Sequence, residues 1–391
     1  MRITPRDHRS FEFATATRII FGSGTLAQIG GVARDLGKRA LIVTGRDPGR
    51  ALPLVECLDE SGVGSIAFSV TGEPQLETIT RGVALARSEK CDLVIGFGGG
   101  SAIDGGKAIA AMLTNDGDLL DYVEVIGRGK SLVHPSAPFI AIPTTAGTGA
   151  EVTRNAVLGS TEHRVKVSLR SPFMLPRVAL VDPALTLDLP PAITATTGLD
   201  ALTQLLEAYV SNRANPMTDA LCEQGIRLAA RSLERAFTHP HDLAAREDMS
   251  LAAMYSGIAL ANAGLGAVHG FAAPIGGRFS AAHGAVCAAL LPHVWEANLA
   301  AVNERGTDPQ RRRFAQAARL LTGKEDADAA SATNWLRDLS TRLAIPALRA
   351  CGIAESDFDD IITRAQQASS MKANPVVLTT EELQTILQAG F

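Results

Sequence analysis

The sequence predicts an α/β N-terminal half built on a parallel sheet, followed by an all-helical C-terminal half. Two observations carry this. Up to about residue 190, short apolar runs alternate with amphipathic helical stretches, and the runs are apolar at nearly every position. Strands covered on both faces show that pattern. Beyond Leu189-Pro190-Pro191, strand signals nearly vanish and helical periods rich in Ala and Leu take over. The expected division is therefore one domain over residues 1–190 and a second over 191–391.

Arg39–Thr44 (RALIVT) is the first clear strand, ending at Gly45, and Ser65–Val70 (SIAFSV) the next, ending at Gly72. Leu76–Lys90 reads as an amphipathic helix and Asp92–Phe97 as a buried strand. Ser101–Thr114 follows as a helix and Phe139–Pro143 as a strand. Arg177–Val181 closes the series and is stopped by Asp182-Pro183. In the second half, residues 193–210, 216–237, 244–263, 311–321 and 329–343 fit helical periods. The run Arg311-Arg312-Arg313 reads as solvated surface.

The 391 residues carry a formal net charge of -4, with 46% hydrophobic and 20% charged residues. That balance excludes wholesale disorder and argues against a nucleic-acid binder working by bulk positive charge. No long apolar run is free of charges or Gly/Pro breaks, so no membrane span is expected. The N-terminal stretch MRITPRDHRSFEF lacks the apolar core of a signal peptide. The five cysteines (Cys57, Cys91, Cys222, Cys287, Cys351) form no CxxC pair and no metal-like spacing. They read as reduced, mostly structural thiols of a cytoplasmic protein.

Gly96-Phe97-Gly98-Gly99-Gly100-Ser101 joins a buried strand to a helix. Gly98, Gly99 and Gly100 let a backbone approach an anion closely, and the helix start behind them supplies N–H groups and a positive dipole end. Ser101 is a candidate N-cap. The spacing is not that of the usual dinucleotide fingerprint, GxGxxG. Gly22-Ser23-Gly24 reads as a structural turn. Pro143-Thr144-Thr145-Ala146-Gly147-Thr148-Gly149 is a second small-residue loop, at the carboxyl end of a strand, where ligands gather in open parallel sheets. The two loops together point to a dinucleotide across the sheet edge.

In the helical half, Asp200 and Gln204 are four residues apart and share one helix face. His269 and His283 lie in apolar, Gly-rich surroundings. A carboxylate with two imidazoles suits Fe(II) or Zn(II), and hydrogen-bonded core histidines are the alternative reading. His293 takes that alternative.

These motifs resemble the iron-containing (group III) alcohol dehydrogenase family. They are GGGSAIDGGK at Gly98–Lys107, PTTAGTGAE at Pro143–Glu151, GLDALTQLLEAYVS at Gly198–Ser211, and GLGAVHGFAAPIGG through AAHGAVCAALLPHV at Gly264–Val294. The resemblance implies a dehydroquinate-synthase-like two-domain fold. It also implies an NAD or NADP cofactor in the cleft, a divalent metal (Fe2+ or Zn2+) on the helical domain, and hydride exchange with an alcohol or carbonyl carbon. By position, Gly98, Gly99, Gly100 and Ser101 would hold the pyrophosphate, and Thr144, Thr145 and Thr148 would line the cofactor cleft. Lys166 would reach the nicotinamide ribose, and Asp104 and Asn155 would lie beside the reacting atoms. Asp200, His269 and His283 match three of the four metal ligands of the family.

Four positions depart from the family pattern. Gln204 stands for the usual fourth ligand His, Ala273 for a second His thought to assist proton transfer, Ala150 for Ser and Val376 for Arg. The substrate is expected between the domains, near Asn155, Val157, Phe271, Phe279, Ser370 and Met371. Gly45, where NAD-preferring relatives carry Asp, and Arg46 beside it favour NADP. A homodimer is expected through edge pairing of residues 11–21. Three other readings remain open: a metal-free reductase of the maleylacetate reductase kind, a lyase of the dehydroquinate synthase kind, and a non-catalytic NAD-binding protein.

Overall fold

The computed structural model describes residues 10–163, 165–279 and 281–391. Of the stretch MRITPRDHRSFEF, read as lacking a signal-peptide core, residues 1–9 lie outside them.

The chain runs β1 (Ile19–Phe21), α1 (Ile29–Arg34), β2 (Arg39–Thr44), α2 (Leu52–Glu60), β3 (Gly64–Ser69), α3 (Leu76–Ser88), β4 (Leu93–Gly98), α4 (Gly100–Thr114), β5 (Phe139–Pro143), β6 (Asn155–Ser160), β7 (Val165–Arg170) and β8 (Val178–Val181). Six of these strands form a parallel sheet in the order β1-β8-β5-β4-β2-β3. Both faces are covered, which is why the strands are apolar throughout. Leu41, Val43, Val94, Phe139 and Ala141 pack on one side with residues of α3 and α4. Their neighbours Ala40, Ile42, Ile95, Ile140 and Ile142 pack on the other with residues of α1 and α2.

The chain steps from β2 outward to β3 and then returns to the other side of β2 with β4. The carboxyl ends of β2 and β4 therefore flank the point where the winding reverses, where open α/β sheets form a ligand crevice.

The antiparallel hairpin β6–β7, with Asn155 opposite Arg170 and Ser160 opposite Val165, stands apart from the main sheet. It is absent from the sequence expectation. Ser160 sits in a stretch of small residues, NAVLGS, whose apolar content is too low to read as a core strand.

The second half is helical among the described residues: α5 (Pro191–Val210), α6 (Pro216–Thr238), α7 (Leu243–Ala263), α8 (Ala267–Arg278), α9 (His283–Arg305), α10 (Asp308–Thr322), α11 (Ala329–Arg342), α12 (Phe358–Gln367) and α13 (Thr380–Gly390). α6 starts on a capping box in which Asn215 Oδ1 accepts from Met217 and Thr218 N–H, with Pro216 at the first helical position. One helix, α9, is long and apolar enough to cross a bilayer by length and composition. Here it is the central strut of the helical core, its Leu290, Val294 and Val302 buried among the other helices.

One surface expectation is corrected. Arg313 is half-buried: its Nη1 donates to Asp219 Oδ2 at 3.0 Å, its Nε donates to Tyr209 O, and its guanidinium lies 4.4 Å from the Tyr209 ring centroid. It clamps α10 to α5 and α6.

Candidate functional site

The two predicted loops abut. Thr144 N–H donates to Gly98 O at 2.9 Å, pinning the start of the threonine loop to the end of β4. A methyl group on Gly100 would lie 3.0 Å from Thr148 Cγ2 and Oγ1, and one on Gly99 3.5 Å from Thr145 Oγ1. Gly99, Gly100, Ser101, Thr145 and Thr148 are partly exposed, whereas Gly98, Thr144 and Gly147 are buried. The accessible lip is thus made of glycine backbone and threonine side chains. Gly99, not Ser101, is the N-cap of α4, and no side chain caps it. Ser101 lies inside the first turn. Ala102 and Ile103 N–H donate to Gly99 O, so with no capping side chain it is the first N–H groups, those of Gly100 and Ser101, that the helix start offers to an anion.

Gly45 follows β2 on the same rim, its N 3.5 Å from where a Gly98 side chain would begin. Arg46 beside it is exposed. The glycines at Gly22 and Gly24 form a structural turn, as expected: Gly24 and Leu26 N–H each donate to an Asp182 carboxylate oxygen at 3.0 Å.

Asp104, on α4, faces Lys107 Nζ at 3.1 Å and accepts from Val157 N–H at 3.1 Å. Lys107 is fully buried and donates to Ala150 O, Thr153 Oγ1 and Asn155 O. Burial lowers the pKa of the Lys107 ammonium and raises that of the Asp104 carboxyl, and each opposes the other's shift. This pair fastens the threonine loop and β6 to α4, so it fixes where Asn155 begins the hairpin. Lys107 belongs to the first motif, but sequence alone does not reveal this bolting role. Glu151, in the short helical turn after the second loop, is buried. Burial pushes its carboxyl up to about 7, against the pull of a backbone hydrogen bond and Lys107.

Lys166, on β7, pairs with Glu73 Oε2 at 3.0 Å and is nearly buried. Its Nζ lies 2.8 Å from where a Gly276 side chain would begin, so it stands between the hairpin and α8. The threonine loop also meets the helical half. A methyl on Gly147 would lie 2.7 Å from Thr197 Cβ of α5.

The predicted metal residues converge. Asp200 (α5), His269 (α8), His283 (first residue of α9) and Cys287 (α9) bring their candidate ligand atoms within 4.8 Å of one another. His269 Nε2 is 3.2 Å and His283 Nε2 3.7 Å from Asp200 Oδ1. Burial works against ionised Asp200, but the two imidazoles beside it hold its carboxyl below its ordinary value.

Glu207 Oε2 is 2.7 Å from His269 Nδ1, and Glu207 Oε1 accepts from Val268 N–H at 2.7 Å. A carboxylate behind a ligand histidine fixes its tautomer and aims the other nitrogen at a metal. Sequence reasoning missed Glu207. Its position seven residues after Asp200, on the same face of α5, was the available signal. Asn374 Oδ1 accepts from Ala267 N–H at 3.1 Å and steadies the start of α8.

The cluster differs from the expected set at two positions. Gln204 lies beside Asp200, its amide nitrogen 3.5 Å from Asp200 Oδ2, and its Oε1 accepts from Ser256 Oγ at 2.7 Å. Cys287, read as a structural thiol, stands one helical turn after His283 with Sγ in the cluster. Of the expected substrate-pocket residues, Phe271 is fully buried in the helical core, whereas Met371 touches α8 at Gly270. His293 lies outside the cluster, and its Nδ1 has no hydrogen-bond partner among the described residues.

Residues 16–183 match the family model described as iron-containing alcohol dehydrogenase, and residues 194–391 match the model of the C-terminal part of that family. The chain belongs to the iron-containing alcohol dehydrogenase family. It is 37% identical to the 1,3-propanediol dehydrogenase of Klebsiella pneumoniae, covering 98% of this chain and 100% of that one. It superposes on a solved 1,3-propanediol oxidoreductase with a TM-score of 0.91 at 36% identity, over 98% of this chain and 100% of that one. The structure of sulfoacetaldehyde reductase from Bifidobacterium kashiwanohense in complex with NAD+ superposes with a TM-score of 0.86 at 29% identity, over 97% of this chain and 98% of that one. The family membership makes the chain an NAD-linked oxidoreductase of alcohols and aldehydes that works with a divalent metal.

Proposed function

We propose that the chain is a metal-dependent alcohol dehydrogenase and aldehyde reductase acting in the cleft between residues 1–190 and 191–391. The observation that carries the reading is the convergence of Asp200, His269 and His283 from three helices. One carboxylate and two imidazoles fit a divalent first-row cation. When bound, the metal supplies Lewis-acid polarisation of the substrate oxygen, and the nicotinamide supplies or accepts hydride.

The protein's own part is to bind, orient and exclude. Gly98, Gly99, Gly100 and Ser101 would receive the pyrophosphate on the free start of α4, and Thr144, Thr145 and Thr148 would border the cofactor. Asp104 and Asn155 would stand beside the reacting atoms, held by the Lys107 bolt. Lys166 would reach the nicotinamide ribose from its place between the hairpin and α8. With Ala273 where relatives carry a histidine, the alcohol proton would pass through water or ribose hydroxyls. Gln204 is retained as a neighbour of the metal through Asp200.

NADP is the proposed preferred cofactor. Gly45 offers no carboxylate to repel a 2′-phosphate, and exposed Arg46 is free to pair with one. A homodimer through the open edge of β1 is also proposed. Among the described residues β1 pairs only with β8, and Phe13 packs against α7, leaving Phe11 exposed. The free cysteines accord with a cytoplasmic protein.

The test is absorbance of NADPH and NADH with purified protein and a panel of aldehydes, and of NADP+ and NAD+ with 1,3-propanediol and other small alcohols. Net oxidation or reduction of the cofactor supports the reading. A protein that binds cofactor without net turnover contradicts it.

A further inference from the structure

The metal-assisted reading above is the ground for this inference. We infer that Cys287, not Gln204, is the fourth protein ligand of the divalent metal, giving an Asp–His–His–Cys set.

The distances already approximate a tetrahedron. With Zn–S of about 2.3 Å and Zn–N or Zn–O of about 2.0–2.1 Å, tetrahedral ligands put sulfur about 3.6 Å from nitrogen and nitrogen about 3.3 Å from oxygen. Cys287 Sγ lies 3.8 Å from His269 Nε2 and 3.7 Å from His283 Nε2. Asp200 Oδ1 lies 3.2 and 3.7 Å from the same nitrogens. His283 and Cys287 are four apart on α9 and share its inner face. Two of the four donors thus sit on one rigid helix.

Gln204 is less well placed. Its oxygen faces Ser256 and its amide nitrogen faces Asp200, which as a carboxylate only accepts. Ser256 Oγ is also 2.8 Å from Ala253 O, and one hydroxyl proton cannot serve both. Half a turn of the amide would send its oxygen toward Asp200, placing two acceptors face to face, and that alternative is an outcome of the test.

Charge and softness agree. Cys287 is fully buried. A thiolate with the Asp200 carboxylate neutralises a divalent cation in a buried site, which Gln204 cannot do. Thiolate sulfur is a donor that zinc and iron sites both use. With four protein ligands, the site would take a substrate oxygen only by expanding its coordination, as catalytic zinc sometimes does.

The experiment loads the stripped full-length protein with Co2+ or Zn2+ and compares wild type with C287A, C287S and Q204A, each checked for native circular dichroism. The proposal expects a thiolate-to-cobalt charge-transfer band in wild type and Q204A and none in C287A or C287S. Competition with a chromogenic chelator should show zinc affinity falling about 100-fold or more in C287A, since even outer partners of a metal site cost roughly 10–100-fold, and less than about 10-fold in Q204A. Cobalt bound by wild type without the band, or zinc lost in Q204A and kept in C287A, overturns the assignment of Cys287 and leaves the metal reading standing. A wild type that takes up neither metal overturns both. Because C287S keeps the size of the side chain, a misfolded C287A does not decide the matter.

Discussion

Gly149 and Gly257 meet backbone to backbone: a side chain on Gly257 would begin 2.2 Å from Gly149 O, and one on Gly149 2.4 Å from Gly257 Cα. Gly149 also has a φ of +61°, which favours glycine. The end of the threonine loop is therefore seated directly on α7. Gly257→Ala should push the loop off its seat, lowering stability by about 1–3 kcal/mol, the usual cost of overpacking. Because Thr144–Thr148 move with the loop, the KM for the nicotinamide cofactor should rise as well. Thermal unfolding and steady-state kinetics on the variant check both.

Glu207 offers acceptors on both sides, to Val268 N–H and to His269 Nδ1. Glu207→Gln turns one acceptor into a donor, so one of the two bonds must fail. Metal affinity should fall roughly 10–100-fold, as for other partners of ligand histidines. Isothermal titration of stripped protein with Zn2+ measures it.

Glu151 has a folded-state carboxyl raised to about 7 from an ordinary 4.5. An acid raised in the folded state favours folding below its unfolded value, and that contribution is lost as pH rises through about 7. The loss amounts to roughly 3 kcal/mol at most above pH 7. Glu151→Gln should match wild type near pH 4.5 and exceed it in stability at pH 8. Urea unfolding of both proteins at the two pH values gives the comparison, and equal stabilities at pH 8 would show that the carboxyl ionises freely.

Gly45→Asp should reverse the cofactor preference. The new carboxylate would accept from a ribose 2′-hydroxyl and repel a 2′-phosphate. The ratio of kcat/KM for NADP(H) to that for NAD(H) should drop at least tenfold. A wild type that already prefers NAD and a variant that leaves the ratio unchanged would remove the role given to Gly45 and Arg46.

Much of this molecule is legible in its residues where one physical demand dominates. β2, β4 and β5 are buried on both faces, and their unbroken apolar runs say so. The glycine and threonine loops show themselves because a close approach needs small residues at the ends of strands. β7 carries a period-2 signal, since Val165, Val167 and Leu169 alternate with Lys166, Ser168 and Arg170, but over six residues such alternation is weak beside the unbroken apolar runs of the main sheet. The candidate ligand cluster is harder. Asp200, His269 and His283 come from separate helices, and motif resemblance brings them together where spacing cannot. Cys287 escapes because a cysteine four residues after a histidine binds metal only when that helix face meets the other donors. Arg313 escapes because a charge run looks alike whether or not an Asp219 stands opposite.

Asp200, His269 and His283 are proposed to hold a divalent metal that would supply Lewis-acid chemistry to hydride exchange in the cleft. The most direct measurement is the rate of NADPH oxidation with an aldehyde substrate by protein stripped with a chelator, by the same protein reloaded with Zn2+ or Fe2+, and by the variant His283→Ala. The stripped protein and the variant should both be inactive, and reloading should restore the wild type alone. Full activity in the stripped protein, or an undiminished rate in His283→Ala, would contradict the account and favour a metal-free reductase.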